Sequence, residues 1–75
     1  MLHNIYTGDI VLAAALKVKG FNLDSLEKHG ARGIFHFKDI PDEILNDFDL
    51  GKLLVDPVTF NNSIKALTTA VRRVI

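Results

Sequence analysis

The chain has no cysteine and no tryptophan, and only two prolines and one tyrosine. Without cysteine there is no disulfide, no thiol chemistry and no zinc knuckle. That absence fits a reducing cytoplasm, the compartment we expect. Net charge is also missing: nine basic side chains balance nine acidic ones. A strongly electrostatic nucleic-acid binder is therefore not expected. The longest uninterrupted apolar run, Ile10 to Leu16, is seven residues, far short of the ~20 that span a bilayer. The start Met1-Leu-His-Asn lacks the basic region of a signal peptide, so no targeting segment is expected. Repeats, linkers and low-complexity stretches are absent.

What is present describes one small domain. Seventy-five residues, 48% of them apolar, argue for a folded chain and against disorder. A core of this size supplies about 3–5 kcal/mol and commonly needs support. With neither disulfide nor metal available, oligomerisation is the remaining support. The charges are segregated. Residues 1–38 carry five basic and three acidic groups, residues 39–56 one and six, and residues 57–75 three and none.

The best strand is Arg32-Gly-Ile-Phe-His-Phe-Lys-Asp39. Alternation directs Phe35 and Phe37 to one face and Ile34, His36 and Lys38 to the other. The Phe face is the expected core. Asp39 and Pro41 are expected to end the strand. Residues 21–28 pair with 33–38 as a hairpin that turns through His29-Gly-Ala-Arg32. Residues 1–6 form an extended lead-in.

Three helices are expected. Thr7 is read as the N-cap of the first, Asp9 sits in its first turn, and Gly20 stops it. This helix is apolar nearly all round, which implies burial on more than one side. In so short a chain the second covering surface is expected from another copy. Ile10, Val11, Leu12 and Leu16 are the candidate self-association residues. The second helix starts with Pro41 as its first residue, carries Ile44, Leu45 and Phe48 inward, and ends at Gly51. Lys52-Leu-Leu-Val55 is an apolar connector with the look of a strand-like crossing. Asp56 then caps a helix with Pro57 at its first position. Its stripe Phe60, Ile64, Leu67, Val71, Val74 repeats at four, three, four and three residues. The fold expected is α+β: helix, antiparallel two-stranded hairpin, helix, helix, with the helices on one sheet face.

Tyr6-Thr-x-Asp9, Leu12-Ala-Ala14 and Gly20, then Phe35-x-Phe37-x-Asp39, then Phe48-x-x-Gly51-x-Leu53-x-Val55-Asp56-x-x-x-Phe60 occur in this order. Over residues 6–71 that pattern resembles a family of small prokaryotic and phage proteins recorded only as a domain of unknown function. The resemblance implies a stand-alone α+β domain and no assigned activity. Asp56-Pro57 and Thr68-Thr69 depart from the family pattern.

The chemistry-bearing residues favour bland roles. Arg32-Gly-Ile-Phe-His-Phe37 is comparable to an RNA-recognition strand, but stacking needs exposed aromatics and these two face the core. His3, His29 and His36 match no metal motif. Ser25 or Ser63 with His36 and Asp39 would make a nucleophilic set, yet neither serine lies in a nucleophile elbow. Asp42 and Asp47 read as a solvated helix face. Gly30-x-x-Gly33 lacks the lysine and the helix of a phosphate loop. No cofactor, metal or catalysis is expected. Lys65, Arg72 and Arg73 form a candidate basic patch, extended by Lys38. The plain reading is cations placed near a helix C-terminus. The leading functional expectation is a non-enzymatic interaction module that forms a homodimer. The alternative is an accessory nucleic-acid-binding protein using the basic last helix.

Overall fold

The computed structural model describes residues 1–74. The chain runs β1 (Leu2–Thr7), α1 (Ile10–Val18), β2 (Leu23–His29), β3 (Arg32–Pro41), α2 (Asp42–Asp49) and α3 (Pro57–Arg73). It is a small α+β fold of three antiparallel strands and three helices. The sheet order is β1-β3-β2, so the Phe strand is central. The hairpin turns as expected, with His29 opposite Arg32.

The expectation of a two-stranded hairpin is corrected: residues 2–7 form a third strand along the free edge of β3. The sequence hid it because its alternation is inverted. The side toward the helices holds His3, Ile5 and Thr7, while Leu2 and Tyr6 point outward and stay exposed. Pairing with β3 makes this segment a strand, through Ile5 opposite Phe37 and Thr7 opposite Phe35.

Two irregularities set which side chains enter the core. In β2 the register shifts between Leu23 and Ser25. The extra residue, Asp24, lets Leu23 and Leu26 both lie opposite inward phenylalanines, Phe37 and Phe35. This is why the alternation that starts at Phe21 and Leu23 fades; Phe21 itself packs on the core from outside the strand. In the β1–β3 pair the register shifts between His3 and Ile5, opposite Lys38 and Asp39. Asp39 takes φ 59°, a left-handed conformation that aspartate tolerates. The strand therefore does not end at Asp39. It continues to Pro41, and Ile40 is buried in the inward place that Asp39 would otherwise occupy.

Ala13, Ala14 and Leu16 of α1, Phe35, Phe37 and Ile40 of β3, and Leu67 of α3 form the core. Small alanines let α1 approach its neighbours closely. The α3 stripe Phe60, Ile64 and Val71 packs around this centre, while Val74 lies past the helix end as its C-cap.

The caps follow the sequence with two changes. Asp9, not Thr7, is the N-cap of α1: its carboxylate accepts from the Val11 and Leu12 amides at 2.9 and 3.4 Å. Thr7 Oγ1 accepts from the Asp9 amide instead. Pro41 is the N-cap of α2 rather than its first residue, because it still pairs with Leu2 in the sheet. Both α1 and α2 end in Schellman turns. Phe21 donates to Leu16 and Gly20 to Lys17, and Lys52 donates to Asp47 and Gly51 to Phe48. Gly20 and Gly51 supply the required positive φ. Asp56 caps α3 as expected, accepting from the Thr59 amide and hydroxyl at 2.8 and 2.9 Å. The connector 52–56 crosses without joining a strand, with Leu53 and Val55 half-buried and Leu54 exposed.

Candidate functional site

Three places collect the residues of interest. The first is the sheet face opposite the core. Ser25 and Tyr6 are both register partners of His36, and Lys38 follows two residues along the same face. Ser25 Oγ lies 2.9 Å from His36 Nδ1, and Glu27 Oε2 lies 3.4 Å from His36 Nε2. Tyr6 meets the imidazole edge-on, with ring centroids 4.4 Å apart. Lys38 pairs with Asp24 at 3.6 Å and stands apart from the basic helix. The sequence offered Ser25 or Ser63 with His36 and Asp39. The structure brings together Ser25 and His36, with Glu27 as the carboxylate, while Asp39 is exposed at the bulge. Glu27 was legible only through the hairpin register, which sets it two residues beyond Ser25 on the same face.

The arrangement has the residue types of a nucleophilic triad but not its surroundings. A triad needs donors that hold the developing oxyanion. Here the neighbouring backbone amides belong to an antiparallel ladder, and the two cavities described below are lined by other residues. The imidazole is 17% exposed, covered by Tyr6 and Glu27. The physical role in view is cross-strand packing of a polar face.

The histidines do not converge. His3 contacts the Asp42 carboxylate, which ties β1 to the start of α2. His29 lies 3.4 Å from Glu27 at the hairpin end. No group of three or more potential metal ligands occurs among the described residues. Phe35 and Phe37 are each 1% exposed, so neither is free to stack on a base.

The second place is an apolar groove on the far side of α1. Of the candidate self-association residues, Leu16 is fully buried inside its own chain, which removes it from any exposed remainder. Ile10 and Leu12 are half-buried against the core. Val11 is 47% exposed. Val11 and Ala15 form one wall of a cavity of about 180 Å³, and Phe48, Leu53, Val55 and Phe60 form the others. The segment 50–58 beside it also holds Leu50, Leu54 and Val58 in contact with water, Leu54 at 81% exposure. The sequence analysis missed these three. The signal for Leu54 and Val58 is that they fall between the inward positions Leu53, Val55 and Phe60; Leu50 follows the inward Phe48 at the end of α2.

The third place is the hairpin end of the sheet. Lys65 and Arg72 are seven residues apart on α3 and so share one side of it, and both are exposed, as is Arg73. Arg72 lines a larger cavity, about 330 Å³, together with Arg32, whereas Lys65 and Arg73 do not. Among the described residues no helix is long and apolar enough to cross a membrane. Comparison of the chain with protein families, curated proteins and solved structures finds no match.

Proposed function

We propose that this protein is a non-enzymatic interaction module that works as a homodimer, through the groove between α1, the end of α2, the connector and α3. The observation that carries this reading is an apolar hollow lined in part by the connector, whose other apolar side chain stays exposed. The hollow lies between Val11, Ala15, Phe48 and Phe60. That exposed side chain is Leu54, with Leu50 and Val58 near it in the chain. A two-fold contact places the same patch of each copy against the other, so each Leu54 enters its partner's hollow. A second copy is favoured as occupant because the hollow and the exposed side chains in and beside the connector are both apolar, and because a core this small gains from added apolar burial. Of the candidate residues, Val11 lines this groove, while Ile10 and Leu12 pack against the core and Leu16 is buried within it.

The test is sedimentation across a wide dilution series, with thermal unfolding at each concentration. The wild type is expected to be dimeric, with a midpoint that rises with concentration. Leu54→Asp, an exposed change that leaves the monomer core intact, is expected to shift the population to monomer. A wild-type monomer whose midpoint does not move on dilution would remove this reading. The second reading, an accessory nucleic-acid-binding role, is favoured by the shared side of Lys65 and Arg72 on α3. Its signature would be weak DNA or RNA binding that is lost at moderate salt.

A further inference from the structure

We infer that the cavity at the hairpin end of the sheet is a binding site for a small organic oxyanion, a phosphate monoester or carboxylate carried on an apolar body. The cavity is enclosed by the β2–β3 turn and the start of β3 (Ala31, Arg32, Gly33), by the entry to α1 (Gly8, Ile10), by Phe35, and by the last turns of α3 (Thr68, Val71, Arg72). Its volume, about 330 Å³, lies at the small end of the range for ligand pockets. Phe35, Ile10 and Val71 supply an apolar floor.

Two of the three arginines in the chain border this one cavity, and no acidic side chain lines it. Among the described residues neither guanidinium has a carboxylate within ion-pair distance. A guanidinium is a planar fork that matches carboxylate and phosphate oxygens. The two reach the cavity from different elements, Arg32 from the sheet and Arg72 from α3.

Arg32 also lies against Gly8, another residue of the lining. Its side chain folds back over Gly8, and a Cβ added at Gly8 would stand 3.0 Å from its Nη2 and 3.6 Å from its Cζ. A methyl group at Gly8 would require the guanidinium to shift by a few tenths of an ångström. The positive end of α1 lies at the same spot and adds attraction for an anion. The Asp9 carboxylate, which caps the Val11 and Leu12 amides there, outweighs that attraction, so the two arginines carry the pull on an anion. The need for cations at the C-terminal end of α3 explains Arg72 and Arg73 equally. It does not explain an Arg32 packed over Gly8.

The inference is independent of self-association and is tested by titration calorimetry with phenyl phosphate, benzoate, inorganic phosphate and benzyl alcohol. Phenyl phosphate or benzoate is expected to bind more tightly than inorganic phosphate, and benzyl alcohol not at all. Which of the two binds better tells a phosphate site from a carboxylate site. Arg32→Gln and Arg72→Gln are each expected to weaken binding by about tenfold or more. Arg73→Gln, outside the cavity, is expected to leave it unchanged. The inference is overturned if neither organic anion binds better than benzyl alcohol. It is equally overturned if both arginine variants bind like the wild type, or if inorganic phosphate binds as well as either organic anion.

Discussion

Replacing Gly33 with alanine tests how α3 sits on the sheet. Gly33 is buried in β3, and its φ is not in the left-handed region. Its backbone therefore accepts alanine, and the obstacle is steric. A Cβ there would lie 2.5 Å from Val71 Cγ2, 3.4 Å from Val71 Cγ1 and 3.3 Å from Leu26 Cδ1. The leucine methyl ends a flexible side chain and can move. Val71 cannot turn away easily, because a β-branched residue in a helix has one strongly preferred rotamer. Helix and strand must separate instead, an overpacking cost of about 1–3 kcal/mol. A domain of this length holds roughly 4–11 kcal/mol at 0.05–0.15 kcal/mol per residue, and each kcal/mol moves the midpoint by about 4–8 °C. Val71→Ala alone removes two half-buried methyl groups and should cost about 1 kcal/mol. In the double variant the alanine Cβ gains the vacated space. Its cost should then fall short of the sum of the singles by about 1–2 kcal/mol. Urea and thermal unfolding of all four proteins measure this coupling. Additivity within about 0.5 kcal/mol would refute the close approach of Gly33 to Val71.

Two further outcomes are expected. Phe37→Ala empties a site that is 1% exposed and should cost about 3–5 kcal/mol, leaving a domain largely unfolded by circular dichroism at room temperature; an unchanged midpoint would place the Phe face outside the core. Acid should destabilise the protein through two carboxyls. The His3 hydrogen bond holds Asp42 below its ordinary value of 3.8, and the Thr59 amide and hydroxyl hold Asp56 below the same value. Each is more acidic folded than unfolded, so its contribution is complete above the unfolded value and is lost as pH falls through the folded one. The melting temperature should therefore drop on acidification below about pH 4, and Asp42→Asn with Asp56→Asn should flatten that drop.

The parts of the fold legible in the sequence are those that local chemistry decides. The hairpin turn, the Gly20 and Gly51 stops and the Asp56-Pro57 start depend on a few adjacent residues. The missed parts depend on pairing at a distance. Residues 2–7 carry only Ile5 as an inward apolar side chain, between His3 and Thr7, while Leu2 and Tyr6 face outward, so contact with β3 makes them a strand. The bulge at Asp24 converts a spacing of three, Leu23 to Leu26, into two inward positions, which period-two reading assigns to opposite faces. Gly33 reads locally as a turn residue beside Gly30, but its size is set by Val71, thirty-eight positions further along the chain. The same holds for the sites. Arg72 was visible as part of a basic helix end, and its pairing with Arg32 across a cavity was not.

The bulges also bear on where a partner would bind. By turning Leu23, Leu26 and Ile40 inward together, they draw most apolar side chains of β2 and β3 to the helix side. The opposite face keeps Ser25, Glu27, His36 and Lys38, joined by the Ser25–His36 hydrogen bond and the Lys38–Asp24 ion pair, while His36 Nε2 is buried without a hydrogen-bond partner. It needs no cover. The outer edge of β2 is blunted by Asp24, Glu27, Lys28 and His29, which discourages strand pairing with another chain. The edge of β1 has no charged side chain apart from what His3 can carry, but its register irregularity works against a long regular ladder. What remains apolar and exposed is divided between that edge, with Met1, Leu2 and Tyr6, and the groove region, with Val11, Leu50, Leu54 and Val58. The groove has a hollow, lined by Val11, Phe48, Leu53 and Phe60, that can receive a side chain. That hollow, rather than apolar content alone, favours the groove as the proposed self-association surface.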